Sequence, residues 1–449
     1  MSPRTSLAVF SIFGACVAGL QPAYAQRVVE GVPREGVPRE AVPREPSLQT
    51  NPVDLAEVLR IARERSPRLA IQRESIAGAE ANRITAGAYP NPTISFGRSH
   101  PYGQGTLFTG SRQDQATLEV PLLLAGQRPA RIERAEREIE AARARVVAGA
   151  SSLAAEAGAA YVALLGAQEK AALLVVSNQD LARLRDIVAG RASLGVASRY
   201  DETRLEVELG SFRTRLEDAR AEVADRAGVL AALLGLPDLR PRATGPLTPL
   251  PMDARSLSGT RERASSSPAV VAATEEERAA QSAVVVAQRE RWPVPSVSLG
   301  RSSTANPFGA ANFLGLSVEL MVFDSRRGQV AKAASEATAA GLRRELAQAE
   351  AGATLERFAN VIAAREVALQ HFEREAASRL AQLREMSENA YRLGRSSIFE
   401  LLDSTRSRHE LQQARIELLA SLLDAQVRFL ATSGTLDQVV GGGGVLPQR

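Results

Sequence analysis

Cysteine, histidine, lysine and aromatic residues are all scarce in this chain, and each scarcity closes off a class of protein. One cysteine, Cys16, and three histidines, His100, His371 and His409, in 449 residues cannot build a disulfide framework. Nor do they approach the spacing of a structural zinc site. Aromatics make up 4% of a chain that is 45% hydrophobic, so packing has to come from small aliphatic side chains and not from large aromatic cores. Charge of one sign is lacking too. Fifty-five Lys and Arg against 51 Asp and Glu leave +4, with no basic block, which argues against a surface built for nucleic acid. Lys170 and Lys332 are the only lysines. Neither closes a glycine-rich phosphate loop, and Gly441 to Gly444 lead into no helix pattern, so nucleotide binding has no support. His371 and His409 have no second ligand one helical turn on, and no nucleophile and base can be paired. Neither an enzyme nor a cofactor is expected.

Long hydrophobic runs are the next absence. Arg4, the apolar stretch Leu7 to Leu20 and the small-x-small site Ala23, Tyr24, Ala25 before Gln26 read as a signal peptide over residues 1–25, with lipidation of Cys16 as the alternative to cleavage. Beyond it no uninterrupted apolar run is long enough to span a bilayer as a helix. An exported chain of this kind is soluble, lipid-anchored, or crosses a membrane as strands. Residues 26–50 carry Gly31, Val32, Pro33, Arg34, Glu35 and two further copies of that unit. Proline at every fifth position predicts an extended tether.

What is present is duplication. Residues 51–237 and 254–436 repeat one plan, joined by a proline-rich connector at 238–253 and followed by a glycine-rich tail at 437–449. Each copy opens on Ser-Pro (Ser66, Pro67; Ser267, Pro268), and its first helical stretch ends in a proline pair (Pro90, Pro92; Pro293, Pro295). Two alternating runs follow. Ile94 and Phe96, then Leu118, Val120 and Leu122, match Val297 and Leu299, then Leu316, Val318 and Leu320. Period two against small polar partners is the signature of strands with one apolar face. Long helical segments come next, Pro129 to Gly190 and Arg326 to Tyr391, each with a return helix, Ser198 to Leu234 and Ser396 to Thr432. Ile132, Ala135, Ile139, Ala142, Val146, Gly149 and Leu153 step by three and four, a seam of mainly small residues. About 60 residues of helix extend on the order of 90 Å, well outside a globular domain.

Four half-apolar strands cannot close on themselves, and an open edge in hydrocarbon leaves backbone groups unpaired at several kcal/mol each. Strands must therefore be pooled between copies. Three chains supply about a dozen, inside the range of bacterial barrels. The expected fold is mainly α with a β-barrel portion pooled between copies, carried on duplicated long helical hairpins.

The duplicated layout, Tyr89, Pro90, Asn91, Pro92 before a strand, Val120, Pro121, Leu122 leading to Gly126, Gln127, Arg128, Phe323 and Asp324 before Arg326, Arg327, Gly328, and the turns Leu194, Gly195 and Leu393, Gly394 together resemble the TolC family of outer-membrane efflux proteins, in particular its heavy-metal and cation branch. The resemblance covers nearly the whole mature chain. It implies that duplicated long helical hairpins form a trimeric α-helical tube joined to a shared twelve-stranded outer-membrane β-barrel, a homotrimeric passive duct in outer-membrane lipid, docked through a periplasmic membrane-fusion adaptor to an inner-membrane RND-type pump, with metal cations as cargo. A drug-efflux or type I secretion conduit of the same fold is the alternative. From another class, so is an exported coiled-coil structural protein.

The resemblance also implies sites. The turns Leu194, Gly195 and Leu393, Gly394 become adaptor-contacting tips, with Ser198 or Ser396 capping the helices beyond. Glu400 and Asp403 match the acids that ring the periplasmic constriction, Asp201 stands in the place of Glu400 in the first copy, and Arg204 replaces its second acid. A solvated acidic face offset by Arg406 and Arg408 is the plainer explanation of the pair. Tyr391 and Asp201 match a hydrogen-bonded pair that holds the entrance closed.

Overall fold

The computed structural model describes residues 50–100, 112–195, 197–252, 257–304 and 309–440. The signal peptide with Cys16, nearly all of the tether and the glycine-rich residues from 441 lie outside them. Chain order is β1 (Thr50–Val53), α1 (Leu55–Arg65), α2 (Pro67–Gly87), β2 (Thr93–Ser99), β3 (Gln113–Pro121), α3 (Gln127–Ser193), α4 (Arg199–Leu234) and β4 (Arg240–Ala243). There follow α5 (Thr260–Ser265), α6 (Pro268–Arg289), β5 (Pro295–Thr304), β6 (Gly309–Val318), α7 (Arg327–Phe372), a π-helical turn (Glu373–Ala377), α8 (Ser378–Arg392), α9 (Ile398–Ser433) and α10 (Leu436–Val440).

β2, β3, β5 and β6 form one antiparallel sheet in chain order. Because opposite residues share a face, the register sorts the side chains. Ile94, Leu118, Leu299 and Leu314 make one apolar row, Val120, Val297 and Leu316 a second, and Pro295 with Val318 a third. Leu122 joins this last row, its N–H donating to the Pro295 carbonyl at 2.8 Å although it lies just past β3. Leu320 does not: β6 ends at Val318, and Leu320 stands exposed beyond it. Leu314 takes the strand position that the alternation had not assigned. The other face carries Thr93, Ser95, Thr117, Glu119, Ser296, Ser298 and Ser317. Phe313 is its exception, and it lies over Gly300, where a Cβ would collide with the ring. Among the described residues, the edge strands β2 and β6 each have one unpaired side.

α3 runs 67 residues without a break, on the order of 100 Å. Along its predicted seam Ala135, Ile139, Ala142 and Leu153 are buried and Ile132, Val146 and Gly149 half-buried. One 18-residue window of α3 reaches mean hydropathy 1.4, long and apolar enough for a membrane span by composition. Leu153, Ala157, Tyr161, Leu164 and Leu165 of this helix instead enter a shared core with α1 and α9. The second long segment departs from its expected continuity, because a π turn at Glu373–Ala377 divides it into α7 and α8. The run Glu373, Arg374, Glu375, Ala376, Ala377 has neither Pro nor Gly to signal it.

Three boundaries also differ. Thr50, assigned to the tether, begins β1, and β4 falls inside the expected connector; the two pair in parallel, Thr50 with Arg240 through Val53 with Ala243. Leu436–Val440 is helical where a flexible tail was expected from 437. A second core, distant in sequence from the sheet, joins Leu181, Leu184, Val188, Leu205, Leu209, Phe212, Tyr391, Ile398, Leu401 and Leu402 near the two helix turns.

Candidate functional site

Both long helices turn back in the same way. α3 ends at Ser193, Leu194 follows, and Gly195 takes φ +71°, a left-handed conformation that strains any residue with a Cβ. Ser198 then caps α4, accepting from the Asp201 N–H at 3.2 Å, while Asp201 Oδ2 accepts from the Ser198 N–H at 3.3 Å. The second turn repeats this with Gly394 at φ +72° and Ser397 capping α9. Glu400 N–H donates to Ser397 Oγ at 3.3 Å and Glu400 Oε2 accepts from Ser397 N–H at 3.2 Å. The cap is therefore Ser397 and not Ser396, whose hydroxyl is buried without a partner. Leu194 and Leu393 remain 78% and 68% exposed at the two tips.

The capping boxes change what the acids do. Asp201 and Glu400 sit at the third position of their helices and spend a carboxylate oxygen on a backbone N–H, a satisfied role at a helix N-terminus. Asp403, one turn on and exposed, makes no ion pair among the described residues. Its expected neutralisers are occupied elsewhere. Arg406 donates to both oxygens of Glu208, at 2.7 Å from Nε. Arg408 faces Asp180 at 3.8 Å, and Arg384 bonds the same Asp180 at 2.9 Å. Glu208 is buried, and the Arg406 guanidinium holds its carboxyl below the usual carboxylate range. This pair, joining α4 to α9, carried no signal in the sequence, where Glu208 is one acid among many on a long helix.

Tyr391 does not bond Asp201. It is 2% exposed and its hydroxyl has no partner, while Asp201 is held in its own cap. Burial pushes the phenol up from its ordinary pKa, with the nearby Asp201 charge adding to the effect. What ties the two turns together is Arg191 at the end of α3, whose Nη1 donates to the Tyr391 carbonyl and whose guanidinium lies 4.6 Å over the Tyr391 ring. Beside it, Tyr200 and Phe399 approach with ring centroids 6.0 Å apart, and Arg204 lies 5.9 Å over Phe399.

Higher up, His409 is buried between α3, α4 and α9, its Nδ1 3.0 Å from Ser177 Oγ and its ring edge-on to Phe212. Burial, then Arg215, lowers its pKa, and Glu410 opposes them. His371, expected to have no second ligand one helical turn on, does meet a carboxylate there: Glu375, four residues later at the π turn, lies 3.4 Å from its Nδ1. Among the described residues no group of three or more His, Cys, Asp or Glu is placed to hold a metal ion.

No family model matches the chain. It is 26% identical over 339 residues to the cobalt-zinc-cadmium resistance protein CzcC of Cupriavidus metallidurans, covering 73% of this chain and 76% of that one. It is 27% identical over 299 residues to the nickel-cobalt-cadmium resistance protein NccC of Alcaligenes xylosoxydans xylosoxydans, 64% of this chain and 65% of that. The solved structure of the outer-membrane channel OprN superposes with a TM-score of 0.70 at 22% identity, over 85% of this chain and 90% of OprN.

Proposed function

We propose that the chain is a member of the TolC family of outer-membrane efflux proteins, a reading supported by its likeness to CzcC, NccC and the OprN fold, and that three copies of it pool their strands into one twelve-stranded barrel and form the passive exit duct of a tripartite metal-efflux system. The unpaired sides of β2 and β6 support the pooling, because an edge in hydrocarbon has no other way to satisfy its backbone. The observation that carries the membrane placement is the register. Ile94, Phe96, Leu118, Val120, Val297, Leu299, Leu314, Leu316 and Val318 all fall on one face of the sheet, the side assigned to lipid.

The names of both relatives, metal-resistance proteins, support metal cations as cargo. An inner-membrane RND-type pump selects and drives that cargo through a periplasmic adaptor, which meets the exposed tips at Leu194, Gly195, Leu393 and Gly394. Asp403, repeated three times, supplies the main negative charge at the narrow end, with Glu400 and Asp201 contributing what their caps leave free. Arg191 with Tyr391, and Arg406 with Glu208, hold the two helical hairpins of one copy together at the entrance. Deleting the gene and measuring growth on cobalt, zinc, cadmium and nickel against a panel of drugs tests the assignment. Metal sensitivity restored by the full chain is expected; sensitivity to drugs alone assigns the cargo to the alternative class.

A further inference from the structure

The apolar face of the sheet is too short for the membrane it meets. Four rows carry apolar residues, from Phe96 and Ala116 down to Pro295 and Val318, and they rise about 20 Å along a strand, less once the strands tilt, against roughly 25 Å for the apolar band of an outer-membrane barrel. At its upper end the face turns polar: Arg301 and Asn312 share the row of Phe96 and Ala116, and Arg98 bonds Asp114 at 2.7 Å in the next. Below the rows it stays apolar beyond the strands. Leu124, Trp292, Leu320, Val322 and Phe323 are all exposed at the junction with the helices.

At this junction, between the start of α3 and the end of α6, lies a cavity of about 880 Å³, within the range of pockets that take small molecules. Pro295 and Val318, the lowest row of the apolar face, form part of its wall, so it opens on the same side of the sheet. Leu124, Val285 and Trp292 add apolar wall. Its lining carries one cation and one anion, Arg289 and Glu133, and neither side chain makes an ion pair among the described residues. Neighbouring arginines are occupied: Arg131 bonds Glu290 at 3.0 Å, Arg128 the Gly87 carbonyl at 2.7 Å and Arg326 the Glu290 carbonyl at 2.8 Å.

We infer that this cavity seats a phospholipid of the periplasmic leaflet, an acyl chain against Leu124, Val285, Trp292 and Val318, its phosphate on Arg289 and the ammonium of an ethanolamine headgroup on Glu133. The inference rests on the apolar sheet face being the lipid side. A free cation and a free anion on one apolar cavity complement a zwitterionic headgroup, whereas an anionic headgroup leaves Glu133 opposed. The site extends the lipid-contacting surface downward, past the ends of the strands.

Trp292 is the only tryptophan, so its fluorescence reports the cavity directly. The mature chain, purified as its native oligomer and reconstituted in vesicles, is titrated with phosphatidylethanolamine or phosphatidylglycerol brominated near the top of the acyl chains. Quenching at a low mole fraction of brominated phosphatidylethanolamine is expected. Arg289→Gln raises the fraction needed for half-quenching roughly tenfold, the loss of one charge-assisted contact, and Glu133→Gln abolishes the preference over phosphatidylglycerol. Quenching that is equal for both lipids and unmoved by Arg289→Gln is bulk boundary lipid and overturns the seat. A Trp292 shielded from both brominated lipid and aqueous iodide means that a second copy fills the cavity, which also overturns it. Leu299→Trp in a Trp292→Phe background is the control. If this probe is quenched and Trp292 is not, the lipid-facing sheet stands and the cavity inference falls; if neither is quenched, the sheet assignment fails first.

Discussion

Asp403 and Glu400 are neighbours on one helix turn, yet their bonding separates them. Glu400 is half of a capping box, so Glu400→Gln keeps the hydrogen bond from the Ser397 N–H, loses only a charge at the start of α9, about 0.5 kcal/mol, and shifts ion selectivity only slightly. Asp403 has no such second role, and Asp403→Asn is expected to lower the cation preference of the reconstituted pore while leaving thermal stability within about 0.5 kcal/mol. Reversal potentials in planar bilayers, taken beside melting curves of both variants, check the split. Equal loss of selectivity from the two substitutions would return Glu400 to the ring. The buried pair nearby behaves differently again. Arg406→Ala leaves Glu208 buried without its counter-charge and is expected to cost about 3 kcal/mol, read as a lowered melting temperature.

His409 sets a pH dependence whose sign follows from its burial. Its pKa is lowered in the folded tube, so the unfolded chain binds the proton more readily. The stability it contributes is whole above about pH 6.5 and is lost as pH falls through the folded value. Melting temperature should therefore drop between pH 7 and pH 5, and His409→Gln should flatten that drop. Glu208, lowered by Arg406, acts in a separate window: its contribution is present above the ordinary carboxylate pKa and disappears only as pH falls through its depressed value.

Among the elements, the strands and the helix turns give the sharpest contrasts. Leu316→Arg places a charge in the apolar rows and is expected to cost about 2–4 kcal/mol of membrane stability, whereas Ser317→Arg, on the opposite face, is tolerated. Yields of heat-modifiable protein from outer membranes read the difference directly. At the turns, Leu194→Asp or Leu393→Asp removes an exposed apolar knob without touching the core beneath, which is built from Leu181, Leu205, Phe212 and Leu401. Crosslinking to the adaptor should fail while outer-membrane yield holds. Leu181→Ala, inside that core, should do the reverse and lower stability by about 2–5 kcal/mol.

For the whole molecule, the decisive quantity is strand number. One chain offers a four-stranded sheet with two open edges, which has no stable form in hydrocarbon. The purified protein is expected to sediment as a trimer in detergent and to migrate anomalously on gels until heated. A monomer carrying a complete barrel signature would contradict the pooling of strands between copies. The helices obey a different rule. Their shared core is richest in leucine, with alanine between, and it runs along several long helices, so each copy gains from many contacts and no single one dominates.

Sequence alone determined the duplicated plan, the four strands and the faces they present, because side-chain period is local and a one-residue slip would expose every apolar residue to the wrong side. It also placed the glycines of both helix turns, since only a residue without Cβ takes those φ values cheaply. Tertiary structure decided the rest. The pairing of β1 with β4 joins residues nearly two hundred positions apart in two short strands that each contain a proline, Pro52 and Pro241, and no alternation announces it. The partners of Arg406, Arg408 and Arg191 lie on other helices, and on helices rich in both charges the sequence offers many equivalent acids. Which acid is left free beside the helix turns was settled only by those pairings, for a charge is neutralised by whatever the fold brings within reach and not by its neighbours in the chain.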